Sequence, residues 1–177
     1  MASFLDRAFV PDHYFDTIYE ITPELLKHEG VRALVLDIDN TLVTYDDPDP
    51  TPPVLRWVEE MRAAGISLAF VSNNSSRERV ERFNRPFAFF ATAKSGKPGT
   101  KYVKKAIAHM SASPETTCVV GDQVFTDIFV GKRMGTRSIL VKPIKDKTTL
   151  FFRFKRKLEK PVLRRYARIN GGKNGEN

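Results

Sequence analysis

Asp37 and Asp39 stand two positions apart at the end of the apolar run Arg32-Ala33-Leu34-Val35-Leu36, in the order Asp37-Ile38-Asp39-Asn40-Thr41. Two carboxylates at that spacing, leaving a strand, can face one pocket. One can attack phosphorus while the other shuttles the proton of the leaving group. Carboxylate attack divides phosphoryl transfer into two displacements through an acyl-phosphate, and the second carboxylate supplies general acid–base assistance. The remaining need is charge neutralisation, which is mostly positioning and electrostatics, usually with a divalent metal. Magnesium takes few carboxylates and keeps several waters, and Asp37 with Asp122 suits that role. Lys97 offers a fixed cation and Ser72 a hydroxyl for a phosphate oxygen. Asp127, just beyond Asp122 and near a helix start, either caps that helix or orients Lys97 or a metal-bound water. Thr41 is expected to hydrogen-bond locally and to reach the phosphate. Asn73 and Asn74 are either turn formers or ligand contacts.

These residues converge only if the elements that carry them deliver them to one edge. The run ending at Leu36 is short and bounded, so it reads as a buried strand. Ile66 to Val71, Pro86 to Phe90, Thr117 to Val120 and Ser138 to Val141 read as four more. Between them, helical spacing recurs at Val54, Trp57, Val58 and Met61, from Ser76 for about two turns, at Tyr102, Val103, Ala106, Ile107 and Met110, and from Ile128 to Met134. Residues 45–53 carry four prolines in nine positions and must be a loop. Alternating strands and helices imply a parallel sheet covered on both faces. Ligands of such sheets bind beyond the carboxyl ends of the strands. Those ends deliver Asp37, Ser72 and Asp122, and Lys97 follows the third strand. The organisation expected is a helical lead-in over 1–30, with Thr22 and Pro23 starting a helix, an α/β domain over 31–145, and a basic amphipathic segment with a flexible tail over 146–177.

The four pieces, LVLDIDNTLV, the serine of AFVSNN, Lys97 in SGKPGT, and GDQVFTD, resemble in order and spacing the motifs of the haloacid dehalogenase (HAD) superfamily across residues 31–141. The resemblance implies a HAD-like Rossmannoid three-layer sandwich around a parallel sheet. It also implies Asp37 as nucleophile and Asp39 as general acid/base. The metal set would be Asp37, the main-chain carbonyl of Asp39, and Asp122, with Mg2+ as cofactor. Ser72 and Lys97, joined by Thr41 and Asn73, would bind the phosphoryl group. The stretches between motifs are too short for an inserted cap domain of usual size, so the site is expected to be open apart from the 42–53 loop. With ITPELLKHEGVRALVLDIDNTLV, VSNN and the lysine-proline pair, the chain resembles the YqeG family of capless, IIIA-type HAD phosphatases, related to mitochondrial phosphatidylglycerophosphatase. That resemblance implies hydrolysis of phosphatidylglycerophosphate to phosphatidylglycerol. A HAD phosphatase acting on nucleic-acid ends or phosphoprotein, and a non-enzymatic RNA- or ribosome-binding protein on the same scaffold, are the alternatives.

Composition frames the partner. The 177 residues are 41% hydrophobic and 28% charged, as expected of a soluble globular chain. The N-terminus has no apolar signal region, and the single cysteine, Cys118, excludes an intrachain disulfide. A cytoplasmic location, or a peripheral one on the inner face of a membrane, is expected. The net charge of +8 is concentrated: between Phe151 and Asn170 eight basic residues face one acid, Glu159. Phe151, Phe152, Phe154, Leu158, Val162, Leu163, Tyr166 and Ile169 interleave with them. Such a segment lies on an anionic membrane or packs its apolar stripe on its own domain; residues 148–169 are therefore a candidate membrane surface, with nucleic acid the other anionic partner. Thr148 or Thr149 is placed to cap it, and Pro161 is expected to break or kink it.

Overall fold

The computed structural model describes residues 4–145 and 150–171. In chain order the elements are α1 (Phe4–Phe9), β1 (His13–Phe15), α2 (Pro23–His28), β2 (Ala33–Leu36), α3 (Pro52–Ala63), β3 (Ser67–Val71), α4 (Arg77–Asn84), β4 (Phe90–Thr92), α5 (Lys101–His109), β5 (Thr117–Gly121), a π-helical turn (Val124–Ile128), α6 (Phe129–Met134), β6 (Arg137–Val141) and α7 (Leu150–Gly171). The six strands form one parallel sheet in the order β1-β6-β5-β2-β3-β4.

Strand alternation sorts the core into two layers. Leu34, Leu36, Leu68, Phe70, Cys118, Val120 and Ile139 face α2, α3 and α4, meeting Leu26, Val54, Trp57, Met61, Val80 and Phe83. Val35, Ala69, Val71 and Val119 face α5 and α6, meeting Val103, Ala106, Ile107 and Val130. Side chains that point alternately up and down are why the central strands read as continuous apolar runs: both faces are covered. The chain leaves β2 toward β3 and β4, then returns to the other side of β2 for β5 and β6, and β1, from before β2, lies outside β6. The reversal lies between β2 and β5, so residues just past Leu36 and Gly121 flank a natural ligand crevice. Among the described residues no domain is inserted between these elements. The architecture is the expected α/β sandwich without a cap.

Several local expectations are corrected. The lead-in is not wholly helical: His13-Tyr14-Phe15 forms β1, the sheet edge beside β6. The third of the expected strands begins at Phe90 rather than Pro86. Phe87 and Phe89 are instead spent in an aromatic cluster, their rings each 5.6 Å from that of Phe70. The segment read as helical from Ile128 starts earlier, as the turn from Val124. Pro161 does not break α7, which runs through it. Pro161 is exposed, so the carbonyl one turn earlier that loses its amide donor can turn to solvent. Thr148, Thr149, the side chains of Phe151, Phe152 and Phe154, and the tail beyond Gly171 lie outside the described residues. Among the described residues no helix is long and apolar enough to cross a membrane.

Candidate active site

Asp37, Ser72 and Asp122 are each the first residue past a central strand, β2, β3 and β5 respectively. Registers of Leu36 with Phe70 and with Val120 align these ends, and the Asp37 amide extends the ladder by donating to the Val120 carbonyl at 3.0 Å. All three side chains are buried, as are Asp39, Thr41, Lys97 and Asp127. The chain then turns sharply at Asn40, whose φ of 64° is the left-handed conformation that asparagine tolerates better than most residues. The turn closes by the Leu42 amide donating to the Ile38 carbonyl at 2.9 Å and the Asn40 amide to the Val43 carbonyl at 2.7 Å.

Lys97 is the hub. Its Nζ lies 2.9 Å from Asp37 Oδ1 and 2.7 Å from Asp127 Oδ1. Burial opposes its charged form, but Asp127 and Asp37 outweigh it and hold its pKa above the ordinary lysine value. Asn73 holds the lysine loop: its Oδ1 accepts from the Lys97 amide at 2.8 Å and from Ser95 Oγ at 2.7 Å, and its Nδ2 donates to the Lys97 carbonyl at 3.0 Å. Its oxygen and one of its two N–H groups are committed to the scaffold, so Asn73 helps to place Lys97. Ser72 Oγ accepts from the Asn74 amide at 3.0 Å. Thr41 Oγ1 is buried and has no hydrogen-bond partner among the described residues, so the local bond expected of it is not made.

Asp127 is drawn in by Gly121. A Cβ at Gly121 would stand 2.2 Å from Asp127 Cγ, so only glycine lets this carboxylate lie against the strand end. Its Oδ2 accepts from the Gln123 amide at 3.1 Å. Carboxylate oxygens of Asp37, Asp122 and Asp127 lie within 4.8 Å of one another. The residues fit a hard dication on their own chemistry: three buried carboxylates stand at oxygen-ligand spacing, two of them against Lys97, and such a carboxylate set suits a hard cation. Burial, against the pull of Lys97 and with Asp127 and Asp39 adding to it, pushes the Asp37 pKa up to about 6. Asp127, read from the sequence as a cap or an outer partner, thus stands with the metal candidates. The Asp39 carboxylate does not belong to this group.

Asp39 is held from elsewhere, by Asn74 and by Arg79, the second of which spacing did not reveal. Arg79 reaches its Oδ1 through Nε at 2.9 Å and through a terminal nitrogen at 2.7 Å. Asn74 Nδ2 donates to its Oδ2 at 2.7 Å. The same arginine donates to the Thr44 carbonyl at 2.9 Å and so ties down the loop after Asp39. Local chemistry explains the placement: Asn74 Oδ1 accepts from the Ser76 amide at 2.8 Å, and Ser76 Oγ caps α4 by accepting from the Arg79 amide at 3.1 Å. Tyr45 also belongs here. Burial, then Asp122, Asp39, Asp37 and Asp127, push its phenol pKa above the ordinary value. Cys118 is buried in the core and its thiol is pushed up chiefly by burial, consistent with a packing role.

Residues 94–150 match the HAD-hydrolase-like family. The chain is 39% identical over 159 residues to "Probable phosphatase YqeG" of Bacillus subtilis, covering 90% of this chain and 92% of that one. It is 27% identical over 177 residues to "Phosphatidylglycerophosphate phosphatase 1, chloroplastic/mitochondrial" of Arabidopsis thaliana, covering 92% of this chain and 50% of the plant protein. Among solved structures, an uncharacterized protein from Listeria monocytogenes shares the fold with a TM-score of 0.53 at 18% identity, over 67% of this chain and 85% of that one.

Proposed function

This chain belongs to the YqeG family of phosphatases in the HAD superfamily, and we propose that it hydrolyses a lipid-borne phosphomonoester, phosphatidylglycerophosphate, through an aspartyl-phosphate on Asp37 with Mg2+ as cofactor. The observation that carries the chemistry is Lys97 bridging Asp37 and Asp127, with Asp122 beside them at the sheet edge. Asp37, Asp122, the Asp39 main-chain carbonyl and, directly or through water, Asp127 would hold the cation. When bound, it would neutralise phosphoryl oxygens and favour the ionised nucleophile. Lys97 fixes the Asp37 carboxylate, and its charge with the Ser72 and Thr41 hydroxyls receives the phosphoryl oxygens. Asp37 attacks phosphorus, the bond from phosphorus to the leaving oxygen breaks, and Asp39 gives that oxygen a proton. Asp39 then takes a proton from the water that attacks the acyl-phosphate, which releases inorganic phosphate and restores Asp37. Arg79 and Asn74 orient Asp39 for both transfers.

Three observations support a lipid as carrier. The plant relative is named for phosphatidylglycerophosphate. No inserted domain closes over the site among the described residues, which leaves room for a substrate held in a bilayer. Finally, α7 turns Lys157, Lys160, Arg164 and Arg168 outward, with exposed Leu158 beside them, while Val162 and Leu163 pack inward. A basic stripe with an apolar edge suits an anionic surface, while the inner face packs on the domain. The test is Mg2+-dependent phosphate release from phosphatidylglycerophosphate in mixed micelles, run beside a 3′-phosphorylated oligonucleotide. Release from the lipid alone is expected; release from the oligonucleotide alone would move the substrate to nucleic acid, and binding of RNA without any phosphate release would remove the enzyme reading.

A further inference from the structure

Glu159 is the one acidic residue among the eight basic ones of residues 151–170, and the fold buries it, leaving it 2% exposed. Helical phase puts it on the inner face of α7 with Val162, Leu163 and Tyr166. That face is firmly seated. Arg165 pairs with Asp6, the Tyr14 amide donates to the Tyr166 hydroxyl at 3.1 Å, and Val162 and Leu163 pack against Val124, Ile128 and Leu140. A seat of this kind asks for an apolar residue, because a buried carboxyl costs free energy unless it meets donors. What Glu159 meets is the catalytic loop: its Oε1 accepts from the Val124 amide at 3.2 Å.

That amide is two residues past Asp122. The amide between them, on Gln123, donates to Asp127 Oδ2 at 3.1 Å. The two amides that follow Asp122 are thus each pinned by a carboxyl, one from inside the loop and one from a helix late in the chain. We infer that Glu159 is a positioning residue of the active site: by holding the Val124 amide it fixes the turn that aims Asp122 and begins the element carrying Asp127. The C-terminal helix is then part of the catalytic apparatus, its basic face outward and its inner face supporting the metal-binding turn. This inference rests on the reading of Asp122 as a metal ligand.

The test compares Glu159→Leu, which keeps bulk and removes the acceptor, with Glu159→Gln, which keeps an oxygen in reach. Three quantities are read: exchange of the Val124 amide with deuterium in metal-free protein, Mg2+ binding by calorimetry, and the Mg2+ dependence of p-nitrophenyl phosphate hydrolysis. Glu159→Leu is expected to speed Val124 exchange and to weaken Mg2+ binding about tenfold, the lower end of what loss of an outer partner costs a metal site. Glu159→Gln is expected to recover most of both. Faster exchange with unchanged Mg2+ binding would make Glu159 a structural residue only and overturn the inference, as would a Glu159→Gln protein that behaves like Glu159→Leu. If Glu159→Leu does not fold, Glu159→Asp, one methylene shorter, carries the same comparison. Loss of all Mg2+ dependence in the wild type would instead overturn the metal reading itself.

Discussion

Replacing Gly121 by alanine adds a single methyl group at the strand end that supports the acidic cluster. The new Cβ would lie 2.2 Å from Asp127 Cγ and 2.3 Å from its Oδ2, where ordinary contact begins at 3.4 Å. The carboxylate must therefore retreat by roughly 1 Å or more, a displacement that elsewhere costs about a hundredfold in rate. It has no slack for this, because Lys97 Nζ at 2.7 Å and the Gln123 amide at 3.1 Å hold it on two sides. Overpacking of a core position costs about 1–3 kcal/mol, and a buried bond left unmade adds about 1–3 kcal/mol. We expect Gly121→Ala to lose about 2–6 kcal/mol of stability, read as a fall of roughly 4–24 °C in Tm for a chain of this length. Its kcat on p-nitrophenyl phosphate should fall about a hundredfold. The double variant Gly121→Ala/Asp127→Gly removes the whole Asp127 side chain, whose Cβ would itself lie 2.5 Å from the new methyl, so it should be more stable than Gly121→Ala and no more active. A Gly121→Ala enzyme with wild-type Tm and kcat would refute the packing reasoning, and a double variant no more stable than the single one would show that Asp127 is not what the methyl strikes.

Arg79→Met keeps the aliphatic stem and removes the guanidinium from Asp39, so kcat should fall about 100-fold, the lower end of what general acid–base assistance supplies; steady-state kinetics with an unchanged kcat would remove Arg79 from the machinery. Asp12 ties the N-terminal segment to the sheet edge, accepting from Lys132 Nζ and from the Ser138 amide and hydroxyl, each at 2.8 Å. Burial works to raise its pKa, but Lys132 and Ser138 outweigh it and hold the carboxyl below 3.8. A folded pKa below the unfolded one means that its contribution is present above the unfolded value and is lost as pH falls through the folded one. Asp12→Ala should therefore lower Tm at neutral pH, and the difference from wild type should shrink below about pH 4; a difference independent of pH would contradict this.

What the sequence disclosed and what it hid have separate physical causes. The strand ends were legible because β2, β3 and β5 are buried on both faces and so read as short apolar runs that stop at Asp37, Ser72 and Asp122. β1 was hidden because His13-Tyr14-Phe15 is a three-residue edge of mixed polarity, too short to show a period. Phe87 and Phe89 resembled a strand because aromatic clusters and strands draw on the same residues. At the site, Lys97 was found by order along the chain, whereas Arg79 was not. It is one of four arginines between Arg77 and Arg85, and its selection depends on the phase that the Ser76 cap gives α4. The bonds of Asn73 to both the amide and the carbonyl of Lys97 were hidden because they join residues far apart in the chain. Glu159 did leave a trace: a lone acid on the inner stripe of a basic helix has to meet a donor.

The most direct test of the central claim is rapid quenching of the wild-type enzyme during turnover, followed by peptide mass mapping. The expected result is a transient mass gain of one phosphoryl group on the peptide containing Asp37, discharged by hydroxylamine and missing in a folded Asp37→Asn protein that has lost turnover. Phosphate release by Asp37→Asn, or a phosphoryl group on any other residue, would contradict the account.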